Sequence, residues 1–312
     1  MTDYFYSVYS LNISSDRPIP GLLQVKTEPA HLEVCLSSRP FSWFKMHEKD
    51  HGHPPQQEWF DIKDSKFGSL LRWKNLFSFF IEKNSPYIYY HIDDSTHIAS
   101  WGIYCLSWVL SFKLLEKGYE CFHGSSVYLN GQTIWILGDC GYGKTTLIYH
   151  LLRQGSLLVS DDLLTFQSCH NQLHSTVGPS RIKIFPNHLQ ANPFPILQKM
   201  NPLTGKRILQ VPGVDPTVKS LPIKGIYVLT DPQKQPHSKI TLTPMPPTDA
   251  LKSLLANLYN TCYLSNLRMR TQFHQINQLI NHIPIKFLRY PRRLSAMTKV
   301  CQRLTQDSTN HA

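Results

Sequence analysis

The chain has 312 residues, of which 41% are hydrophobic and only 17% charged, so it can bury a core as one large domain or two modest ones. A disulfide-stapled mini-protein and a disordered chain are excluded. Net charge is +11, from 32 basic and 21 acidic residues, but the basic residues are scattered and form no long stripe, so nucleic acid is not the expected partner.

From the start, MTDYFYSVYS lacks a basic region, an apolar middle and a small-residue cleavage site, and a cytoplasmic protein is expected. Seven cysteines (Cys35, Cys105, Cys121, Cys140, Cys169, Cys262 and Cys301) are odd in number and far apart, with no CxxC pair. They read as reduced thiols, not as a disulfide framework or a zinc site. Short apolar stretches bounded by turn residues predict strands at 21–26, 31–36, 59–62, 77–81 and 87–92, a mainly β region over 1–95. His47, His51 and His53, with Glu48 and Asp50, precede Pro54-Pro55 and read as a solvated loop in preference to a metal site.

Ile98, Ile103, Leu106, Val109, Leu110 and Leu114 follow helical spacing over 96–117, and Gly118 supplies a stop. The apolar run within it, 103–115, is too short to cross a bilayer and contains Lys113, so no membrane span is expected. Strands at 125–129 and 133–137 flank Asn130-Gly131, a strong signal for a hairpin.

Gly138-Asp139-Cys140-Gly141-Tyr142-Gly143-Lys144-Thr145 then fits GxxxxGK[ST], a P-loop. Its glycines let backbone N–H groups turn toward phosphate oxygens, Lys144 meets the outer phosphates, and the Thr145 hydroxyl can hold Mg²⁺. The context agrees, since an apolar strand precedes the loop and a helix bearing Thr146, Leu147, Ile148, Leu151 and Leu152 follows it and stops at Gly155. A second apolar strand ends in Asp161-Asp162, a pair suited to phosphoryl transfer because one carboxylate can hold the metal and the other can accept a proton. A strand at 225–230 closes a core spanning 96–232. Beyond it come a strand at 240–243, helices at 248–260 and 263–281, a strand at 285–290 and a helix at 292–304, forming an α+β extension over 233–312.

Phe122-His123-Gly124, the loop at 138–145, Gly155 and Asp161-Asp162 together resemble HPr kinase/phosphorylase, a bacterial protein-serine kinase family with a phosphoenolpyruvate-carboxykinase-like core, over about 118–230. The resemblance implies an α/β fold with a P-loop core of that type, an N-terminal mainly β region and C-terminal helices. It implies ATP and Mg²⁺ as cofactors, with Gly138 through Thr146 binding the nucleotide. By the same resemblance Asp162 is the catalytic base, Asp161 and Thr145 hold the metal, Lys144 is catalytic, and His123 tunes the base. Cys140 replaces the family's usual Ser, and Leu221-Pro222-Ile223-Lys224-Gly225 lacks the family's metal-binding Glu, which argues against phosphorylase activity and against HPr as substrate. The reduced motif set is similar to that of relatives that modify ribosomal peptides, including lasso-peptide tailoring kinases, and Tyr290-Pro291-Arg292-Arg293 also resembles them. Arg181, Lys206 and Arg207 are candidate phosphate or substrate contacts, because basic side chains can grip phosphate.

The expected activity is therefore transfer of the γ-phosphoryl group of ATP to a Ser/Thr-type hydroxyl of a protein or precursor peptide, with a homo-oligomer as the assembly the resemblance implies. Two alternatives stand beside it. One is a P-loop ATPase or GTPase switch, though no NKxD motif marks guanine specificity. The other is a non-catalytic, nucleotide-dependent module in which the N-terminal β region adds a peptide strand.

Overall fold

The computed structural model describes residues 3–26, 28–47, 59–189, 192–198, 204–215, 217–231, 238–261 and 266–309. The histidine cluster past His47 lies outside them. The chain divides into two units, Met1–Lys117 and Gly118–Ala312.

Alternation of apolar residues in the first unit builds a seven-stranded mixed sheet. Its strands are β1 (Tyr4–Val8), β2 (Leu11–Ser15), β3 (Val34–Ser38), β4 (Phe60–Asp64), β5 (Gly68–Trp73), β6 (Phe77–Glu82) and β7 (Tyr87–Ile92), in the order β1-β2-β3-β7-β6-β5-β4. Strand β3 runs parallel to both neighbours and the remaining pairs are antiparallel. The strand predicted at 21–26 does not form. The segment turns at Gly21 (φ 82°), where the Leu22 N–H bonds the Ile19 carbonyl, and then runs as irregular chain held by one bond from the Val25 N–H to the Phe5 carbonyl at 2.8 Å.

On one face, helix α1 (Phe41–His47) sets Phe44 against Leu70 and Phe80. The other face takes the helix predicted at 96–117, which runs as a 3₁₀ turn (Ser95–His97), α2 (Ile98–Tyr104), a π turn (Cys105–Val109) and α3 (Leu110–Glu116). Trp101 stacks on Phe79 with ring centroids 6.2 Å apart, and Tyr104 lies 4.8 Å from Trp73. These aromatic contacts tie the helix to the N-terminal sheet, so the first unit ends at 117 and not at the predicted 95. By length and composition alone this 22-residue helix is apolar enough to cross a membrane, at a mean hydropathy of 1.4, and 72% of its apolar window is buried within the protein.

In the second unit, β8 (Phe122–Leu129) and β9 (Gln132–Leu137) form the predicted hairpin, with Asn130 and Gly131 both at positive φ (49° and 81°), as a type I′ turn requires. Helix α4 (Lys144–Arg153) follows, then β10 (Leu157–Leu164), β11 (Phe166–Cys169), β12 (Gln172–Thr176), β13 (Arg181–Ile184), β14 (Ile196–Gln198), β15 (Arg207–Gln210) and β16 (Ser220–Leu229). The chain ends with β17 (Thr241–Pro244), α5 (Pro247–Ala256), α6 (Asn266–His282), β18 (Ile285–Arg289) and α7 (Met297–Thr309).

Strands β10-β8-β9-β16 make the body of an eight-stranded sheet. The long β16 continues it twice along its free edge, pairing with β12 near its start and with β18 near its end. Strands β9, β16 and β18 run parallel. Every residue of β9 is buried because both faces of the sheet are covered. Alternation decides which side each serves. Ile134 and Ile136 join a core with Leu147 and Leu151 of α4 and Val300 and Leu304 of α7, while Trp135 and Leu137 join Leu254 of α5 and Ile276 and Leu279 of α6.

A small antiparallel sheet, β13-β15-β14, stands apart from these pairings. Because β18 is paired directly to β16, residues beyond 238 complete the same sheet instead of forming the separate extension predicted from 233. The last helix starts at Met297, later than predicted: Arg293 is extended (φ −131°) and caps a 3₁₀ turn, Leu294–Ala296, that leads into it.

Candidate functional site

The chain leaves the end of β9 at Leu137 and enters α4 at Lys144 through the glycine-rich loop. Gly138, Gly141 and Gly143 have φ of 142°, 85° and 87°, values that side chains resist, so the glycines are what permit this turn. A Cβ on Gly143 would lie 3.3 Å from the Arg292 guanidinium and 3.5 Å from the Tyr290 hydroxyl. Gly143 caps α4 without any side-chain hydrogen bond, which leaves the first N–H groups of the helix directed at the space before it. Lys144 is buried, and its Nζ donates to the carbonyls of Gly138 at 2.5 Å and Asp139 at 3.1 Å.

Facing the loop are β8 and β10. The acidic doublet does not close its strand as predicted: β10 runs on to Leu164, with Asp161 opposite Ser125 and Asp162 opposite Gly124. Adjacent strand residues normally point to opposite faces, yet both carboxylates line one cleft. The break in alternation sits at Asp162, whose φ of +80° is uncommon for a residue with a side chain and is the kind of strain that clusters at functional sites. Ser125 Oγ donates to Asp161 Oδ1 at 2.6 Å, and Lys183 Nζ of β13 donates to Asp162 Oδ2 at 2.8 Å. His123 Nδ1 is 3.2 Å from the Asp162 carbonyl and 3.8 Å from its Oδ1.

These surroundings drive the two carboxyls apart. Burial pushes Asp162 up, but the Lys183 ammonium, with His123 and Lys206, outweighs it and holds the carboxyl well below the usual range. Asp161 moves the other way, raised by burial and by the charge of Asp162 against hydrogen bonds from Ser125 and the Lys183 amide. Burial also lowers His123 and Lys144, opposed by the nearby aspartates.

The cleft has a volume of about 680 Å³. It brings together the predicted His123, Cys140, Gly141, Gly143, Lys144, Thr145 and Thr146 with Asp161, Asp162 and Lys206. Gly138, Asp139 and Tyr142 do not line it. Gly138 is turned toward Asn257, whose Oδ1 accepts its N–H at 3.1 Å, and the Tyr142 carbonyl accepts from Arg292 at 2.6 Å. Arg181 is buried at 9% exposure and Arg207 is also outside the lining, so of the three predicted basic contacts only Lys206 faces the cleft.

Lys183 and His188 were not predicted, and His188 Nδ1 sits 2.8 Å from the Thr146 hydroxyl. Lys183 lies two residues beyond Arg181 on the same strand, and nothing in the strand pattern alone decides which of the two reaches the cleft. Among the described residues no group of three or more His, Cys, Asp or Glu could cage a metal. The Thr145 hydroxyl and the two aspartates line the same cleft, and the hydroxyl with one carboxylate could serve as a sparse oxygen set for a hard cation.

Among solved structures, the chain resembles the Hpr(Ser) kinase/phosphatase from Coxiella burnetii. The match covers 61% of this chain and 97% of that one, at 14% identity and a TM-score of 0.35. No protein-family model and no curated protein matches the chain. What the cleft can do is therefore read from its own residues.

Proposed function

We propose that the cleft binds ATP with Mg²⁺ and moves the γ-phosphoryl group to a hydroxyl of a protein or peptide. One observation carries this reading: Lys144 and Thr145, at the start of α4, and Asp161 and Asp162, in β10, line the same cleft. A helix N-terminus with open N–H groups and a buried lysine suits phosphates, while a carboxylate pair is repelled by them unless a cation or a transferable proton stands between.

Thr145 and Asp161 would hold the Mg²⁺, which when bound neutralises charge on the outer phosphates. The loop amides and Lys144 bind and orient the triphosphate. Asp162 accepts the proton of the acceptor hydroxyl as its oxygen bonds to the γ-phosphorus; the bond to the β-phosphate oxygen breaks, and its electron pair leaves with ADP. His123, against the Asp162 main-chain carbonyl, steadies the strained residue in place. On the rim, the half-exposed Phe185, with Lys206 Nζ 5.0 Å from its ring, offers an aromatic and cationic surface of the kind that engages a peptide.

The test is incubation with γ-labelled ATP, Mg²⁺ and candidate peptides. Asp162→Asn is expected to keep ATP binding and lose about 10²- to 10⁴-fold in transfer, whereas Lys144→Ala weakens nucleotide binding itself. Normal turnover by Asp162→Asn would refute the role of the doublet. Label appearing only as free phosphate, with or without peptide, would replace the kinase by a hydrolase.

A further inference from the structure

We propose that Lys183 is a two-position cation, neutralising Asp162 in the empty cleft and moving to the terminal phosphate when a nucleoside triphosphate binds, an inference that rests on the nucleotide reading above.

Strand β13 fixes where this lysine starts. Its neighbours Ile182 and Ile184 are buried in the core, so alternation sends the Lys183 side chain the other way, into the cleft. Its main-chain N–H bonds the Asp161 carboxylate, which anchors the base of the side chain beside the doublet. The ammonium then reaches Asp162 at 2.8 Å, and the Lys183 side chain as a whole remains 21% exposed.

An ammonium has three donors, and Lys183 spends one on Asp162. Lys144 differs: it is withdrawn onto two loop carbonyls. The charged or titratable groups around Asp162 are Asp161, His123, Lys144, Lys183 and Lys206. Of the lysines among them, Lys183 alone among the described residues is bonded to a carboxylate, and its flexible stem lets a more highly charged anion draw the ammonium off. A terminal phosphate is such an anion, and the β-phosphate of a diphosphate lies one phosphoryl group short of it. Movement of Lys183 would leave the Asp162 carboxylate free for the acceptor hydroxyl only when there is a phosphoryl group to transfer.

The test is calorimetric titration of the full chain, in Mg²⁺, with the non-hydrolysable β,γ-imido analogue of ATP and with ADP. Lys183→Met is expected to bind the triphosphate roughly tenfold more weakly and ADP within about twofold of wild type, as befits one charge-assisted contact to the last phosphate. Lys183→Arg, which keeps the charge, should restore most of the loss, and thermal melting checks that both variants are folded. Lys206→Met should weaken both nucleotides alike.

An unchanged triphosphate-to-diphosphate ratio in Lys183→Met would overturn the proposal and leave the kinase reading standing. So would the same selective loss in Lys206→Met, which would make the effect one of the general positive field. Wild-type protein that binds neither nucleotide would end the nucleotide reading and this inference with it.

Discussion

Asn257 joins the glycine-rich loop to the opposite wall of the cleft: its Oδ1 accepts the Gly138 N–H at 3.1 Å, and its main-chain carbonyl accepts the His123 N–H at 2.6 Å. The residue follows the last turn of α5, is 5% exposed, and donates through Nδ2 to Ser253 at 2.8 Å. Asn257→Leu keeps the branched shape, with somewhat more bulk, but orphans a buried amide, which costs about 1–3 kcal/mol. The expected result is a lower midpoint in urea unfolding and, since Gly138 begins the loop, weaker nucleotide binding. An unchanged midpoint together with unchanged affinity would show that Gly138 finds another partner.

Much of this site was legible because its parts are local. GxxxxGK[ST] writes a turn, a lysine and a helix start into eight consecutive residues, and the loop forms between β9 and α4 as that pattern requires. Asn130-Gly131 announces its hairpin equally plainly. By contrast, the hairpin joining β1 to β2 turns at Tyr9-Ser10, both at positive φ (54° and 61°) with neither Asn nor Gly, and was missed. Asn257 and Lys183 were missed for a different reason: they reach the site from α5 and β13, 119 and 21 residues from the groups they bond, and no spacing rule records a tertiary contact. Asp162 shows a third limit, since its place within a continuous strand depends on one backbone angle that an aspartate seldom adopts.

Gly124 lies directly opposite Asp162, and the pairing leaves no room for a side chain. A Cβ there would meet Leu137 Cδ2 at 2.6 Å, Leu164 Cδ1 at 2.7 Å and the Ile136 carbonyl oxygen at 3.0 Å. Both leucines are fully buried and have nowhere to retreat. Gly124→Ala should therefore destabilise the protein by about 1–3 kcal/mol through overpacking and push β10 from β8. Calorimetric melting reads the first effect, and loss of transfer beyond the loss of folded protein reads the second. Wild-type stability in this variant would mean that the two strands separate without cost.

In the first unit, Lys113 is 3% exposed, and its Nζ donates to the carbonyls of Glu82 at 2.6 Å and Ser85 at 2.7 Å and to Glu116 Oε2 at 2.9 Å. The charge that interrupts the apolar helix thus ties α3 to the turn between β6 and β7. Lys113→Met retains the stem and strips the turn of its donor, leaving two carbonyls unpaired, at an expected cost of about 1–3 kcal/mol. Urea unfolding followed by tryptophan fluorescence, with Trp73 and Trp101 in this core, should show the earlier transition. A more stable variant would mean that desolvating the ammonium costs more than its three bonds return.

Asp161→Asn should stabilise the protein at neutral pH while removing activity, a trade expected where a site holds charge that the fold would otherwise shed. In the folded state, burial and the neighbouring Asp162 raise the Asp161 carboxyl above its ordinary value of 3.8. Above that raised value the folded protein carries a carboxylate it disfavours, while the unfolded chain carries the same charge freely, so the cost is present in full at pH 7. The cost shrinks as pH falls through the folded value and is gone below 3.8, where both states are protonated. Asp162 contributes in the opposite sense: its carboxyl is depressed by Lys183, so the stability it brings is present above 3.8 and is lost as pH falls through its lower folded value. Wild type and variant share that second loss, and their difference isolates the first. Melting temperatures should thus show Asp161→Asn above wild type at pH 7 and level with it near pH 3.5. A variant less stable than wild type at pH 7 would mean that the bonds from Ser125 and the Lys183 amide outweigh the buried charge.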